Sequence, residues 1–416
     1  MDFSQETLTT IHALNPRRGD HVRSLVKEAV ADRPAALVLP MLYSEMERPA
    51  LSGIRDALKG VDYLNEIVVP LTAKDEDEYR RVVDFFSVLK TPTTVVWCES
   101  PSVQEALKGL EGDGIHLDGL AGKGLAVWIG GGVASLNNYA IAMHDADIEE
   151  YDPDILAHLL FPIVRKEMDF YFSKGYYARL SDDRLYGRAV RLFLWPFLDA
   201  LQVVTGHHSQ TLRYFRSFRY PLSGEMALTT DLFVNMRMPT DWGLELGLLG
   251  EVYRNASMKR ISQVDLGFYS HKHKTVGSNP NEGLQRMVGD LTTTILRVLT
   301  ENEGTQITEG TLTSLRVTYR RHAQDHIRKY FADALANGLA YDRHTEEAAI
   351  DAFARVITEA GRNYLASPGR EQIPDWLRCL SADPKLPNKL LPPTKAPRKR
   401  RSAVREAALQ DAENIV

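Results

Sequence analysis

Two cysteines in 416 residues leave little material for a disulfide framework or a thiolate metal centre. Cys98 and Cys379 lie far apart in the chain and neither belongs to a Cys-x-x-Cys pair, so a reducing, cytoplasmic setting is expected. Long apolar runs are also missing. No uncharged stretch reaches the roughly 20 residues of a membrane helix, and Met1 to Glu6 shows no basic segment ahead of an apolar one. Neither a membrane span nor an export signal is therefore expected. Basic charge is in deficit, with 50 Lys and Arg against 55 Asp and Glu and a formal net charge of −5. Such a balance excludes general binding of nucleic acid, which needs clustered positive charge to displace counterions from phosphate. The Gly-x-x-x-x-Gly-Lys-Ser/Thr phosphate loop is absent, as is any repeat of solenoid or propeller period.

The composition is that of a globular protein, 44% hydrophobic and 25% charged, with chain enough for one large core or two ordinary ones. In the first third, short β-branched runs alternate with longer amphipathic stretches. These runs are Ala35 to Pro40, Glu66 to Leu71, Thr93 to Cys98 and Tyr139 to His144. Their spacing predicts an α/β fold with a mostly parallel, buried sheet, whose ligands bind beyond the carboxyl ends of the strands. From Asp152 onward the pattern becomes mainly helical. Helices are predicted over Trp242 to Asn255 with Asp241 as cap, and over Arg286 to Glu301, Leu312 to Ala336 and Thr345 to Leu365. Beyond Ala382, five prolines accompany the basic cluster Lys395, Arg398, Lys399, Arg400 and Arg401, a composition expected to form a flexible tail. The expected division is 1–150 for the α/β part, 151–280 for a middle part, 281–382 for a helical C-terminal region, and 383–416 for the tail.

Chemistry concentrates in a few short segments. His144-Asp145-Ala146-Asp147 follows the apolar run Tyr139 to Met143, so two carboxylates at alternate positions leave the end of a buried strand. A D-x-D of this kind can reach a ribose and a divalent cation on a diphosphate, although an isolated acidic pair also caps turns. Upstream, Gly122-Lys123-Gly124 combines close backbone approach with a cation for a base or phosphate. Tyr269-Ser-His271-Lys-His273 sets two histidines on one side of an extended chain, where one or both can complete the coordination begun by Asp147, although a lone pair of histidines is more often surface polar or hydrogen-bonded. Arginines beside glycine in Tyr186-Gly187-Arg188-Ala-Val-Arg191 suit a phosphorylated or carboxylated acceptor, with structural ion pairing as the alternative, above all for Arg184 and Arg191. The segments Lys174-Gly-Tyr-Tyr-Ala-Arg179, Phe218 to Glu225 and Asp241-Trp-Gly-Leu-Glu245 complete the set.

In order, Pro40 with Glu45, Gly122-Lys123-Gly124, Asp145-Ala-Asp147, Gly187-Arg188, Pro221-Leu222-Ser-Gly-Glu225, Trp242-Gly-Leu-Glu245-Leu-Gly, Gln263-Val-Asp-Leu-Gly267 and His271 resemble the retaining glucosyl-3-phosphoglycerate synthases, GT-A type glycosyltransferases. The stretch Gln5 to His12 and the helical C-terminal part look similar to the longer members of that family, from organisms that make glucosylglycerate as a compatible solute. The resemblance implies that Pro40 and Glu45 line the uracil or guanine pocket, that Lys123 holds the nucleotide, and that Asp145 meets the ribose and donor sugar. It implies Mg²⁺ or Mn²⁺ on Asp147 and His271, glucose hydroxyls on Glu245, and the phosphate or carboxylate of 3-phosphoglycerate on Gly187 and Arg188. It further sets the carbonyl of Leu222 beside the reacting carbon and suggests a homodimer. Val190, Tyr269 and His273 depart from the shorter, actinobacterial members, which carry threonine, arginine and asparagine there, and Arg191 stands where it can replace a lost contact. A mannosyl transferase using GDP-mannose and a catalytically silent nucleotide-sugar-binding scaffold are the competing readings.

Overall fold

Alternation within the short apolar runs decides how the chain is layered. The computed structural model describes residues 4–15, 17–117, 119–181, 183–269, 277, 279, 282–368 and 372–392. Its strands are β1 (Thr9–Ile11), β2 (Ala35–Val38), β3 (Met41–Leu42), β4 (Glu66–Thr72), β5 (Thr93–Trp97), β6 (Ala140–Met143), β7 (Phe172–Ser181), β8 (Arg184–Leu185), β9 (Met226–Thr229) and β10 (Ile261–Tyr269). Successive strand residues point to opposite faces. Thus Ala36, Val38, Val68, Val96, Ile141 and Met143 enter one apolar cluster, while Ala35, Leu37, Ile67, Val69, Val95, Ala140 and Ala142 enter the other. With both faces covered, these strands are apolar apart from Glu66 and Thr72 at the ends of β4 and Thr93 and Thr94 at the start of β5.

The sheet runs β1-β10-β7-β9-β6-β2-β4-β3, with β5 beside β4 and β8 beside β7. It therefore continues unbroken across residue 150. Every pairing among β2, β3, β4, β5 and β6 is parallel, as are those of β10 with β1 and β7. Two strands run reversed, β8 against β7 and β9 against both β6 and β7. The first residue of β9, Met226, pairs with Met143, the last residue of β6. The turn that leads into β9 consequently lies at the same edge as the D-x-D segment that leaves β6.

The helices follow the expected periods with small shifts at their ends. Gly283–Glu303, Glu309–Ala336 and Arg343–Ala366 pack together, capped by Thr308 and Asp342 at the starts of the last two. The helix expected from Trp242 begins at Leu244 instead. Asp241 accepts from the backbone of Gly243 at 2.8 Å, so its side chain stabilises the turn ahead of the helix rather than capping it. Among the described residues no helix is long and apolar enough to cross a membrane.

The chain past Ala382 departs from the expected tail. Residues 383–392 contain the short helix Leu386–Lys389, and Leu386, Leu390 and Leu391 are buried. Just before it, the rings of Trp376 and Trp128 stack with centroids 4.0 Å apart. Trp376 Nε1 donates to the Trp128 carbonyl and Trp128 Nε1 to that of Pro374, each at 2.9 Å. Proline and charge dominated the composition and hid three leucines too closely spaced to show a period. Burial of each leucine stabilises by about 1.5–3 kcal/mol. A chain ending at Ala382 should therefore melt well below one ending at Pro392, which keeps all three. Equal melting temperatures by calorimetry would show that this segment contributes nothing to the core.

Candidate active site

Three chain segments meet at the carboxyl edge of β6. The first is the start of the helix Lys123–Ala134, which begins at Gly122 with φ 110°. A side chain at Gly124 would put its Cβ 1.9 Å from the carbonyl oxygen of Pro239, so only glycine lets this helix end approach the backbone there. The second is the D-x-D segment after β6. The third is the helix Leu244–Asn255, with Glu245 in its first turn. Lys123 joins them, since its ammonium lies 2.6 Å from Asp145 Oδ1 and donates to Glu245 Oε1 at 2.9 Å. Burial works against the charge of Lys123, but the two carboxylates outweigh it and hold the pKa above the ordinary lysine value.

His144, ahead of Asp145, supports the backbone of this segment. It is buried, with Nε2 2.9 Å from the Tyr151 hydroxyl and Nδ1 3.1 Å from the Asp145 carbonyl. Burial lowers its pKa to about 4, so the ring is neutral at physiological pH. Opposite lies the turn Leu222 to Glu225. A Cβ on Gly224 would fall 2.6 Å from the Asp145 carboxylate, so turn and D-x-D segment pack directly on each other.

That turn is held from below by a charge that sequence reading left without a role. Lys174 in β7 is 1% exposed and donates to the Ser223 carbonyl at 2.7 Å. The Ser223 hydroxyl donates to the Gly175 carbonyl at 2.6 Å, and the Gly175 amide donates to the Glu225 carbonyl at 2.9 Å. A buried ammonium is costly. Burial pushes its pKa down to about 8, against the pull of Glu245 and Glu225.

The segments enclose a cavity of about 450 Å³. Pro40, Glu45, Lys123, Asp145, Asp147, Gly187, Arg188, Leu222 and Glu245 all line it. Pro40 sits in the gap between β2 and β3, which pair with β4 at one common offset (Ala36 with Glu66, Met41 with Leu71). Arg191 does not line the cavity. It is buried behind Arg188, with Nη1 2.9 Å from Glu346 Oε2 and Nε donating to the Tyr186 carbonyl at 2.7 Å. His271, the other expected metal ligand, lies outside the described residues, as do Lys272 and His273.

The lining also includes Tyr177, Arg179, Tyr186, Tyr220 and Trp242, and from the helix Gly283–Glu303 Leu284, Met287 and Leu291. The aromatic and arginine positions fall inside segments already marked by their sequence. The apolar wall of Leu284, Met287 and Leu291 does not, because a helix face looks alike in sequence whether it meets a core or a cavity. Glu346, on the helix Arg343–Ala366, carried no motif at all.

Glu45, Asp145, Asp147 and Glu245 bring four carboxylates to the lining. Such hard oxygen donors suit Mg²⁺ or Mn²⁺, which keep much of their coordination for phosphate oxygens and water. Among the described residues, no three His, Cys, Asp or Glu side chains gather as a metal cage.

No protein-family model matches the chain. Curated relatives do. The glucosyl-3-phosphoglycerate synthase of Methanococcoides burtonii is 48% identical over 392 residues, covering 94% of this chain and 96% of that protein. That of Persephonella marina is 37% identical over 393 residues, with coverage of 94% and 96%. The chain belongs to the glucosyl-3-phosphoglycerate synthases.

Solved structures agree in fold. The Mycobacterium tuberculosis glucosyl-3-phosphoglycerate synthase in complex with phosphoglyceric acid aligns with TM-score 0.51 at 20% identity, over 72% of this chain and 89% of that one. The same enzyme with Mn²⁺, UDP-glucose and phosphoglyceric acid aligns with TM-score 0.50 at 19% identity, over 72% and 89%. The central, mostly parallel sheet is accordingly of the GT-A type.

Lys174 generates a pH test. Below a pH of about 8 its ammonium is charged in the folded and unfolded chains alike, and desolvation counts fully against folding. Between about 8 and the ordinary 10.5 the unfolded chain keeps a proton that the folded chain has lost, so the stability contribution of this group rises with pH. Wild type should thus gain on Lys174→Met as pH increases through that window. Denaturant midpoints for the two proteins that keep a constant separation across the window would contradict the buried-cation assignment.

Proposed function

We propose that this chain transfers glucose, with retention, from UDP- or GDP-glucose to the hydroxyl of 3-phosphoglycerate. The observation that carries the reading is the convergence of nine expected site residues on one cavity of about 450 Å³, a volume suited to a small-molecule ligand. Membership in the glucosyl-3-phosphoglycerate synthases supports the sugar and the acceptor. The M. tuberculosis complex with Mn²⁺, UDP-glucose and phosphoglyceric acid supports a nucleotide sugar and a divalent cation together with that acceptor.

In this reading Pro40 and Glu45 border the base, while Lys123 and Asp145 hold the nucleotide and donor sugar. Asp147, with His271, would hold Mg²⁺ or Mn²⁺, which when bound would supply positive charge to offset that of the diphosphate. Glu245 orients glucose hydroxyls. Its ion pair with Lys123 at 2.9 Å favours that role over one as a covalent nucleophile, because a carboxylate held by an ammonium is a weaker nucleophile. Gly187 and Arg188 bind the acceptor's phosphate or carboxylate, the guanidinium offering paired N–H donors to an anion.

The bond between the anomeric carbon and the leaving phosphate oxygen breaks, and a bond to the acceptor oxygen forms on the same face. The acceptor's proton passes to the departing phosphate oxygen. The Leu222 carbonyl stabilises positive charge on the ring as the bond breaks.

Two substitutions test the assignment. Asp147→Ala should lower turnover by at least about 100-fold while circular dichroism and melting temperature stay at wild-type values. Near-normal turnover at saturating Mg²⁺ would remove Asp147 from the metal site. Arg188→Lys should lose about 1.5–3 kcal/mol, or one to two powers of ten in kcat/KM for 3-phosphoglycerate, with donor KM unchanged. Equal use of glycerate and 3-phosphoglycerate by the wild type would rule out a phosphate-bearing acceptor.

A further inference from the structure

Arg188 reaches the cavity from a turn that the C-terminal helices hold in place. Gly187, at φ 77°, turns the chain after β8, and Ala189–Leu194 continue as a π-helical segment. Arg188 Nε donates to Glu346 Oε1 at 2.7 Å, whereas its two terminal Nη groups have no partner among the described residues. Its side chain keeps 26% exposure. The guanidinium is thus held by its inner edge and offers its outer edge to the cavity.

Glu346 is built for this hold. It is 3% exposed, and its other oxygen, Oε2, accepts from Arg191 Nη1 at 2.9 Å. A buried carboxylate has to be paired, and two guanidiniums each take one of its oxygens. Arg191 is itself fixed, with Nε on the Tyr186 carbonyl and Nη2 on the Leu185 carbonyl, and it stacks 5.0 Å from the Tyr330 ring. Glu346 lies in the first turn of its helix, where the dipole favours negative charge, and Asp342 caps that turn. A second contact sets the same elements in register, since the Ala340 amide donates to the Asp183 carbonyl at 2.7 Å.

We infer that Glu346 is a positioning residue for acceptor binding, pre-setting Arg188 so that its outer edge faces the anionic group of the acceptor. Ordering the long arginine side chain before the acceptor arrives removes that entropic cost from binding. The C-terminal helical region thereby sets acceptor affinity without touching the acceptor. This inference rests on the assignment of Arg188 to the acceptor.

The test is acceptor kinetics on the full chain. Glu346→Gln should raise KM for 3-phosphoglycerate about 3- to 10-fold, with kcat within about twofold of wild type and donor KM unchanged. Because this variant weakens the buried partner of Arg191, Glu346→Gln/Arg191→Gln is measured beside it and should show the same acceptor-specific rise. In a double-mutant cycle, Glu346→Gln/Arg188→Lys should be little worse than Arg188→Lys alone, since the carboxylate acts through the guanidinium. Additive losses, an unchanged acceptor KM, or an acceptor KM that falls would each overturn the inference, the last because it would mean that the pair blocks Arg188. Should Arg188→Lys itself leave the acceptor KM unchanged, the assignment of Arg188 fails. Normal Glu346→Gln kinetics beside an impaired Arg188→Lys would overturn only the role of Glu346.

Discussion

The ammonium of Lys123, set between Asp145 and Glu245, is the contact on which the site depends. Those carboxylates come from the strand end after β6 and from the first turn of the helix Leu244–Asn255, while the lysine opens a third element. Each carboxylate is poorly tolerated in a half-buried cavity by itself, and each is stabilised by the same cation. The arrangement also concentrates negative charge on one side of Lys123, which suits a site that handles a diphosphate through a divalent ion.

Much of this was legible in the chain, for identifiable reasons. Asp145 and Asp147 follow a strand so apolar that its end is unmistakable, and a carboxylate there lies where α/β sheets bind ligands. Gly122-Lys123-Gly124 and Gly187-Arg188 announce themselves through glycine, which marks close approach and positive φ. What stayed hidden depends on pairing between distant segments. The role of Lys174 emerges only once β9 is known to run antiparallel between β6 and β7, because that reversal carries Ser223 over it. Arg188 and Glu346 are 158 residues apart, and no local pattern links them. For Arg191 structural ion pairing was the open alternative, and three residues along the π-helical segment from Arg188 it is buried against Glu346.

Stability and function draw on different parts of this architecture. The apolar clusters on either face of the sheet supply the burial that holds the fold together. Lys174, Arg191 and Glu346 are charged groups inside that burial, and each is retained next to a segment that borders the cavity. Buried charge adds little to stability compared with well-packed apolar groups of similar volume. Its value here is directional, since an ion pair fixes an angle where an apolar contact tolerates several.

The stacked tryptophans carry a consequence for the order of events in the cell. Trp376 and Trp128 are 248 residues apart, yet Trp128 belongs to the helix whose first residue is Lys123. During synthesis the chain emerges from its N-terminus, and a contact between residues this far apart forms only after the whole stretch between them has been made. The helix that opens at Lys123 therefore gains its stacked indole only once Trp376 has been made. A nascent chain just long enough to contain every cavity-lining residue, the last being Leu291, still lacks the indole that stacks on this helix, so the finished site waits for the segment around Trp376.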